Sequence, residues 1–348
     1  MKLAILTPTF HKYSGIDRVV EMDAKRFAED GYEVTIFALK ASMWNKNIIT
    51  YNNQYATVVE LGIPKNPTLE RIYRLLFFLD RKKIKNTAKM LKDYDIIISH
   101  LYPMTLISSY AKKKYDIPFS CVFHGYTPHN NFDGFKEKIY MKIMNYLIFK
   151  SMKNADYIVS DSAFVAASLY EKTGQESFVK HIKINEDIYN KDVKVFPYMK
   201  KEYENNKPIL LYVGRLSPHK GIHLLLDAFK IIQTKYPDAA LIIAGKPTFD
   251  KYFEKLTKQA SKNVHFVINA DDNELSSYYA LCDVYVTCSL WEGYDMPIVE
   301  ANACGKPAVA FDIGAHKEVI DKNGILIKEG DIDEFAKGVI NVLDKNKS

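Results

Sequence analysis

Short runs of aliphatic and β-branched residues alternate along the chain with longer segments in which apolar residues recur every three or four positions. In the C-terminal part of the chain the runs predict strands, and the segments between them, such as Ile222–Thr234 and Asp272–Leu281, predict helices. Continuous apolar strands separated by helices are typical of a parallel sheet covered on both faces. The predicted strands are Ile209–Val213, Ala240–Ala244, Val264–Ile268, Val284–Thr287 and Pro307–Phe311.

The N-terminal part of the chain repeats this alternation, so the sequence predicts two domains of the same class. The break lies in a polar stretch over residues 199–207, after which a fresh strand begins. We therefore predict an N-terminal domain over residues 1–198, a linker over 199–207 and a C-terminal domain over 208–348. The N-terminal strands are predicted at Lys2–Thr7, Glu33–Leu39, Asp95–Ser99, Phe119–Phe123 and Tyr157–Ser160.

The predicted fold is α/β, with two doubly wound, Rossmann-like parallel-sheet domains facing each other across a cleft. Sheets of this kind bind ligands beyond the carboxyl ends of their strands, so the loops after strands are expected to carry the chemistry. A length of 348 residues is enough for two domains that each bury a core.

Composition places the chain among ordinary globular proteins. Apolar residues make up 47% and charged residues 26% of the sequence, which excludes general disorder. The four cysteines form no C-x-x-C motif, so we interpret them as buried thiols of a cytoplasmic protein. The first residues contain too short an apolar run for a signal peptide, and no stretch approaches the ~18 apolar residues of a membrane span, so a soluble protein is expected.

The net charge of +6 is unevenly distributed along the chain. Residues 1–195 carry 29 basic and 21 acidic residues, whereas residues 196–348 carry 19 and 21. An anionic partner should therefore meet the N-terminal domain.

Two basic segments of that domain, Leu69–Asp93 and Lys136–Lys153, have apolar residues at helical spacing among their cations. They are typical of surface helices with solvated lysines. They also fit an acceptor-side surface that meets anionic lipid head groups, which would place a cytoplasmic protein peripherally at the inner face of a membrane. Nucleic acid is not indicated, because neither a stacking motif nor a helix-turn-helix pattern accompanies the charge.

Loops after two of the predicted strands contain glycines and cations before a helix. The first, residues 7–18, has the single glycine Gly15, so it lacks the G-x-G-x-x-G motif of a nicotinamide site, and a P-loop is also absent. Backbone N–H groups near Gly15 suit a phosphate, although a lone glycine there is as often structural.

The second loop places Arg215 and Lys220 around a Ser-Pro turn. Two cations beside the positive end of a helix dipole suit a diphosphate, with solvated loop cations as the alternative.

A third loop, residues 291–301, is the most informative. Glu292 and Glu300 lie eight positions apart, with Pro297 at the start of the intervening helix. A carboxylate only accepts hydrogen bonds, so Glu292 suits sugar hydroxyls. Either glutamate alone is more often a solvated charge or a helix cap, but the pair at this spacing is specific. The backbone N–H groups that face the same space, and suit an anion or an oxygen, belong to Gly293, Tyr294, Asp295 and Met296.

Taken together, these loops resemble glycosyltransferase family 4, whose members are retaining, metal-independent enzymes of the B-type fold with two Rossmann-like domains. The resemblance lies in Gly214-Arg215…Lys220-Gly221 followed by Glu292-x7-Glu300. In the first domain it extends to Ser14-Gly15-Ile16-Asp17-Arg18-Val19-Val20 and to His124-Gly125. The sequence departs from the family at Ser14, which replaces a common glycine, and at Asn269-Ala270, where the family often has a glycine after the strand of the base pocket.

The resemblance implies a nucleotide-diphosphate sugar as donor, with its diphosphate neutralised by Arg215 and Lys220 and its ribose hydroxyls held by Glu300. Glu292 would meet the 3-hydroxyl side of the transferred sugar, and His124 would contact that sugar near its 6-position and the reacting centre. The further donor contacts that it implies are the backbone at Gly15 for the β-phosphate, Ile268 and Leu275 for the nucleobase pocket, and residues 293–296.

The implied reaction moves a hexose to a glycan or lipid-linked acceptor in cell-surface polysaccharide or glycoconjugate synthesis, without a cofactor. Neither Glu292 nor Glu300 is placed beneath the anomeric carbon, so the resemblance favours a front-face route over a carboxylate nucleophile. In that route the leaving diphosphate takes the proton of the acceptor. The D-x-D patterns at residues 93–95 and 331–333 have the form found in metal-dependent transferases but are better interpreted as caps, so no metal is expected.

Two other interpretations remain open at this stage. B-type sugar-nucleotide epimerases and phosphorylase-like enzymes share the two-domain architecture, but they would not be expected to combine both cations with both glutamates. A non-catalytic nucleotide-sugar-binding subunit would keep the donor site and lack turnover.

Overall fold

The computed structural model describes residues 1–10, 15–41, 50–52, 54–129 and 134–345. The chain divides into two compact units, Met1–Ile182 (unit 1) and Lys183–Ser348 (unit 2), and each is built on its own sheet. The predicted α/β class with two parallel-sheet domains is therefore confirmed.

Unit 1 alternates strands and helices along most of its length. The elements are β1 (Lys2–Thr9), α1 (Gly15–Glu29), β2 (Glu33–Lys40), β3 (Thr50–Asn52), β4 (Thr57–Glu60), α2 (Pro67–Leu75), α3 (Arg81–Met90), β5 (Ile96–His100), α4 (Met104–Tyr115), β6 (Phe119–Phe123), α5 (Phe135–Met152), β7 (Tyr157–Ser160), α6 (Ala163–Thr173) and β8 (Phe178–Val179). A short 3-10 helix, Phe77–Leu79, joins α2 to α3. The strands form one sheet in the order β3-β4-β2-β1-β5-β6-β7-β8, and among them only β3 runs antiparallel to its neighbour.

The sheet of unit 1 is covered on both faces, as the continuous apolar strands predict. Ala4 and Leu6 of β1 enter the cluster that includes α3 and α4, whereas Leu3 and Ile5 enter the cluster that includes Val20 of α1. With both faces occupied by helices, the carboxyl ends of the strands remain as the edge at which loops present polar side chains.

Unit 2 is a second, smaller doubly wound sheet. Its elements are α7 (Pro197–Glu202), β9 (Ile209–Val213), α8 (Ile222–Lys235), β10 (Ala240–Ala244), α9 (Asp250–Gln259), β11 (Val264–Val267), α10 (Asp272–Leu281), β12 (Val284–Thr287), α11 (Met296–Ala303), β13 (Ala308–Phe311), α12 (His316–Val319), β14 (Ile325–Ile327) and α13 (Ile332–Lys345). The six parallel strands have the order β11-β10-β9-β12-β13-β14. The strand order therefore reverses direction between β9 and β12, which is the switch point at which such sheets bind ligands.

The boundary between the units lies earlier than the sequence predicted. Residues 183–198, assigned above to the N-terminal domain, and the predicted linker over residues 199–207 both belong to unit 2. Met199 and Tyr203, four positions apart, are 0% and 1% exposed and pack with Tyr189 in the core of this unit. In the sequence, lysines and glutamates surround these two buried residues. The stretch therefore has the polar composition of a linker, although one face of its helix is buried in the core.

The two D-x-D patterns take structural roles. Asp331 Oδ1 accepts the N–H of Glu334 at 3.0 Å and so caps α13, as predicted. Asp95 Oδ2 accepts the N–H of Lys2 at 2.7 Å, where the starts of β1 and β5 lie side by side.

None of the helices in the described part of the chain is both long enough and apolar enough to cross a membrane.

Candidate active site

The candidate donor site of unit 2 lies where three neighbouring strands end. Strands β9, β12 and β13 are adjacent and parallel, so the loops that follow them meet at one edge of the sheet. The β9 loop carries Arg215 and Lys220, the β12 loop carries Glu292 and Asp295, and α12 begins at His316 after the β13 loop. Four of the predicted site residues are thus brought together at the switch point.

Lys220 is held against the β12 loop by a turn in which glycine is required. It ends a 3-10 helix, and Gly221 follows with a φ of +62° before α8 begins. A Cβ on Gly221 would lie 1.9 Å from the carbonyl oxygen of Cys288. Nearby, the N–H of Leu290 donates to the carbonyl of His219 at 2.9 Å. The two loops therefore touch backbone to backbone, which fixes the origin of the Lys220 side chain.

Gly221→Ala is expected to lower the free energy of unfolding by about 2–4 kcal/mol, because the left-handed backbone costs an L-residue ~1–2 kcal/mol and the contact with Cys288 adds overpacking. Gly330→Ala is the matched control, since Gly330 has a φ of +80° but nothing within 4 Å of an added Cβ. Urea denaturation measures both losses. Equal losses would contradict the backbone contact as the reason for glycine.

Lys220 and Glu292 form a buried ion pair between these loops. The Lys220 ammonium donates to Glu292 Oε1, and the two side chains are 16% and 7% exposed. Burial raises the pKa of Glu292 and the Asp295 charge adds to the rise, whereas Lys220 opposes it. Burial, together with the charges of Lys220 and Arg215, lowers the pKa of His219 to about 3, so this imidazole is neutral beside the two cations of the β9 loop. The carboxylate expected to bind hydroxyls is thus paired with a cation expected to bind phosphate.

The Asp295 side chain is bonded within unit 2 to a histidine that the sequence motifs did not include. His316 Nε2 lies 3.1 Å from Asp295 Oδ2, and its Nδ1 lies 2.6 Å from the carbonyl oxygen of Phe311. Burial lowers the pKa of His316, but Asp295 and then Glu292 outweigh it, so the net shift is upward. A protonated imidazole can donate to both oxygens. One indication of this residue was present in the sequence, since His316 lies shortly after the predicted strand Pro307–Phe311.

The β13 loop also supports the backbone of Glu292. The N–H of Ala315 donates to the Glu292 carbonyl at 3.2 Å, and a Cβ on Gly314 would lie 2.1 Å from the same oxygen. The position of this glutamate is therefore set by contacts from the loops on both sides of it.

Glu300 is a buried residue on α11, five residues into the helix, and is 1% exposed. The Tyr279 hydroxyl on α10 donates to Glu300 Oε2 at 2.8 Å. Burial, followed by the Glu300 charge, raises the pKa of Tyr279 well above its usual range, so the phenol remains a donor. The Tyr279 contact gives the Glu300 carboxylate a defined orientation, a partner that the sequence did not indicate.

The remaining predicted donor contacts of unit 2 differ in exposure. Arg215 is exposed, Ile268 just after β11 is 39% exposed, and Leu275 is 7% exposed and packs into the core. Asn269 has a φ of +65°, a conformation that asparagine adopts more readily than most residues, so it fits the turn where the family often has glycine. In the loop before α11, Gly293 and Met296 are buried and Tyr294 is half-buried.

In unit 1 the predicted residues follow the carboxyl ends of β1 and β6. Gly15 opens α1 and is exposed, while Ser14 lies outside the described residues. His124 directly follows β6. Since β5 lies between β1 and β6 in the sheet, Gly15 and His124 belong to the same edge without being in neighbouring loops.

His124 is the middle member of a row of three side chains from successive strands. His100 ends β5, His124 follows β6 and Asp161 follows β7. His124 Nδ1 lies 2.6 Å from Asp161 Oδ2, and His124 Nε2 lies 3.0 Å from His100 Nδ1. All three side chains are buried. Both ring nitrogens of His124 are therefore engaged within unit 1.

Burial determines the charge of the first histidine in this row. Burial, with the charges of His124 and Lys180, lowers the pKa of His100 well below its usual range, so His100 is neutral. A carboxylate only accepts, so His124 Nδ1–H donates to Asp161, and His124 Nε2 shares one hydrogen bond with His100 Nδ1. Within the part of the chain that the structure describes, His100 Nε2 has no hydrogen-bond partner. Neither His100 nor Asp161 belongs to a motif that would have identified it from the sequence.

Three groups of the donor site are also of types that bind metal ions. One atom each from Glu292, Asp295 and His316 lies within 4.8 Å of the others. Lys220 already pairs with the glutamate, and the aspartate and histidine pair with each other. Ion pairing therefore accounts for this cluster, and the absence of a metal requirement stays a prediction.

Two family models match the chain. One, described as Glycosyl transferases group 1, covers residues 197–348, and the other, described as Glycosyltransferase Family 4, covers residues 13–181. An uncharacterized glycosyltransferase of Methanocaldococcus jannaschii is 23% identical over 309 residues, which cover 86% of this chain and 80% of that protein.

Solved structures share the fold over nearly the whole chain. Sucrose-phosphate synthase from Thermosynechococcus elongatus has a TM-score of 0.79 at 18% identity and covers 99% of this chain and 90% of its own. Anabaena HepE, crystallised in complex with UDP-glucose, has a TM-score of 0.73 at 19% identity and covers 100% of this chain and 90% of its own. These likenesses establish the B-type fold. With both family models matched, the chain belongs to the group 1 glycosyltransferases.

Proposed function

We propose that this glycosyltransferase is a retaining, metal-independent hexosyltransferase with a nucleotide-diphosphate sugar as its donor. The observation that carries the proposal is the buried Lys220–Glu292 pair at the switch point of unit 2. The pair combines, at one point of the sheet edge, a cation of the type that binds phosphate and a carboxylate of the type that binds hydroxyls, which supports the proposal. The crystallisation of HepE, which shares the fold, with UDP-glucose supports the same class of donor.

Donor binding would exchange the partners of the Lys220–Glu292 pair. The diphosphate offers Lys220 an anion of higher charge, and the exposed Arg215 adds a second cation. Once released from Lys220, the Glu292 carboxylate accepts hydrogen bonds from the hydroxyls of the transferred sugar. Glu300, oriented by Tyr279, accepts those of the ribose. The buried ion pair keeps both groups in position before the donor binds.

The chemical step follows a front-face route. The bond between the anomeric carbon and the diphosphate oxygen breaks, and the acceptor oxygen bonds to the anomeric carbon on the same face. The proton of the acceptor hydroxyl passes to the departing diphosphate oxygen. Lys220 and Arg215 stabilise the negative charge that develops on the diphosphate, and no protein nucleophile is needed.

The other assigned roles rest on the family resemblance. His124 contacts the transferred sugar near its 6-position, the backbone at Gly15 approaches the β-phosphate, and Ile268 and Leu275 line the nucleobase pocket. We assign the acceptor as a glycan or a lipid-linked sugar in cell-surface polysaccharide or glycoconjugate synthesis. The enzyme would then work in the cytoplasm or peripherally at the inner face of the membrane.

The test is hydrolysis of the donor by the pure chain, because water can replace a missing acceptor. UDP- and GDP-hexoses of α configuration are incubated with the protein and excess EDTA, and NMR identifies the anomer of the released sugar before it mutarotates. The proposal predicts slow release of the α-anomer at a rate that EDTA does not change. Initial release of the β-anomer would contradict retention, and loss of hydrolysis in EDTA would contradict metal independence. Donor binding without hydrolysis would favour a non-catalytic donor-binding subunit.

A further inference from the structure

One helix of unit 1 has apolar side chains on both of its faces. On one side of α5, Met144, Ile148 and Met152 pack against the core. On the other side, Phe135 is 77% exposed and Tyr146 is 60% exposed. The exposed apolar residues follow helical spacing and form a stripe, which we call the α5 stripe: Phe135, Ile139, Ile143 and Tyr146. Helical spacing in the sequence predicted a helix correctly, but spacing alone could not show that this face points to solvent.

A second stripe of the same kind lies on α2 and the 3-10 helix that follows. Its members are 41–64% exposed and recur at three- and four-residue spacing: Leu69, Ile72, Leu76 and Leu79. We call this the α2 stripe. Phe77, between its members, is 0% exposed, so this segment also uses its other face for the core.

The two stripes belong to neighbouring elements. Tyr73 of α2 packs against the same core cluster as Met144 of α5. Tyr102, whose pKa is raised by burial and also by Tyr140, donates its hydroxyl to the Leu75 carbonyl at the end of α2 at 2.9 Å. The stripes therefore lie on one side of unit 1.

Cations surround these stripes. Residues 67–90 contain seven basic and two acidic residues, and residues 135–153 contain five and one. Both acidic residues of the first segment are engaged: Glu70 pairs with Lys40 and Arg74, and Asp80 accepts from Tyr73 and from the N–H of Lys83. The basic residues that rim the stripes are mostly exposed. The two segments together carry a larger positive charge than the +6 of the whole chain.

We propose that the α2 and α5 stripes form a docking surface for an anionic lipid bilayer. Apolar side chains enter the boundary between head groups and acyl chains, and the surrounding lysines and arginines bind the negatively charged head groups. A second copy of the chain is a poorer occupant, because two faces with this excess of cations would repel each other.

The inference rests on the proposed function, since it places the acceptor side of the enzyme at a lipid surface. His124 directly follows β6, and Phe135 begins α5, the next helix along the chain. Both α2 and α5 also follow strands at their carboxyl ends. A bilayer on the stripes would therefore lie beside the edge of the unit 1 sheet that presents His124, where a lipid-linked sugar would be delivered.

The test is co-sedimentation of the full chain with vesicles, without donor. One set is pure phosphatidylcholine, and in the other about a third of the lipid is phosphatidylglycerol, which supplies the negative surface potential. The inference predicts binding to the anionic vesicles that weakens as salt is raised, and much weaker binding to the neutral ones. Equal binding to both sets, or to neither, would overturn it.

Variants separate the two contributions. Phe135→Ser with Ile139→Ser is expected to weaken binding at least ~tenfold through lost apolar burial. Replacing Lys136, Lys142 and Lys150 together by glutamine is expected to weaken it ~10²-fold, at about fivefold for each lysine near the surface. Phe178→Ser is the apolar control, since Phe178 is 65% exposed on β8. Replacing Lys251, Lys255 and Lys258, which lie on α9, removes equal charge from unit 2.

The controls should bind anionic vesicles as the unaltered chain does. If they lose binding as much as the stripe variants, the interaction is a general charge effect and the docking surface is wrong. If sedimentation velocity shows a dimer that Phe135→Ser with Ile139→Ser converts to a monomer, a second copy is the occupant instead.

Donor hydrolysis without vesicles is measured in parallel and should be unchanged in the stripe variants. Its loss in the unaltered chain would refute the proposed function while leaving vesicle binding to decide the surface.

Discussion

Lys220→Met is expected to lower turnover ~10²–10³-fold, which is the usual cost of removing one preorganised charge donor from a transition state. The reason is that Lys220 stabilises the negative charge on the leaving diphosphate. Steady-state kinetics of donor hydrolysis measure the loss. Lys230→Met, at an exposed lysine of α8 that pairs with Asp227, is the control and should leave turnover unchanged. Unchanged turnover in Lys220→Met would remove the role assigned to this lysine.

Stability and activity need to be separated in that variant. Lys220→Met leaves the Glu292 carboxylate buried without its cation, which is expected to cost about 3 kcal/mol near neutral pH. Adding Glu292→Gln removes the stranded charge, so the double variant should regain most of the lost stability in urea denaturation. Its turnover should remain at least as low as that of the single variant. A double variant that regains activity together with stability would show that the lysine matters only for folding.

Asp161→Asn is expected to lower turnover ~10²-fold or more, since an amide in place of a carboxylate that orients a histidine permits the wrong tautomer. In this chain the carboxylate fixes the Nδ1–H of His124, and His100 occupies the other ring nitrogen. Kinetics over a range of pH are the measurement, because a change in the tautomer or charge of His124 shifts the pH profile as well as the rate.

The matched control for this variant lies at the other end of the same strand. Asp156 precedes β7 and accepts from the N–H of Phe119 and from Lys112, which, after the opposing effect of burial, lower its pKa. Asp156→Asn should therefore lower stability, most clearly above the usual pKa range of an aspartate, and leave turnover and pH profile unchanged. If both variants change turnover equally, the effect of Asp161 is structural and the row through His124 has no role in catalysis.

Buried strands were the most predictable elements, because a strand covered on both faces is a continuous apolar run. Ile209–Val213 and Val284–Thr287 have the bounds that the sequence predicts. The edge strand β14 has only three residues, Ile325–Ile327, and was not predicted, since so short a run does not stand out. The segment with Met199 and Tyr203 was assigned to a linker because most of its residues are charged or polar, although these two are buried on one helical face.

The site was predictable where its residues lie close together in sequence. Glu292 and Glu300 share one loop and helix, and Arg215 and Lys220 share one turn, so each pair forms a recognisable motif. Their partners come from separate strands and helices. His316, for example, meets Asp295 only because β12 and β13 are neighbours in the sheet. The same holds for the row through His124, which the order of strands assembles and the sequence does not show.

Binding of a nucleotide-diphosphate sugar by unit 2, through Lys220, Glu292 and Glu300, is the step on which the proposed function depends. Its most direct test is the thermal stability of the full chain with UDP-, GDP-, ADP- and TDP-sugars, compared with that of Glu300→Gln. A ligand at 100 times its dissociation constant adds ~2.7 kcal/mol of stability, which is readily measured. We expect the sugars of one base to stabilise the unaltered chain and to require at least about tenfold higher concentrations in Glu300→Gln, as the ribose contact is weakened. If no nucleotide sugar stabilises the chain, or if one stabilises both proteins equally, the donor site assigned to unit 2 is contradicted.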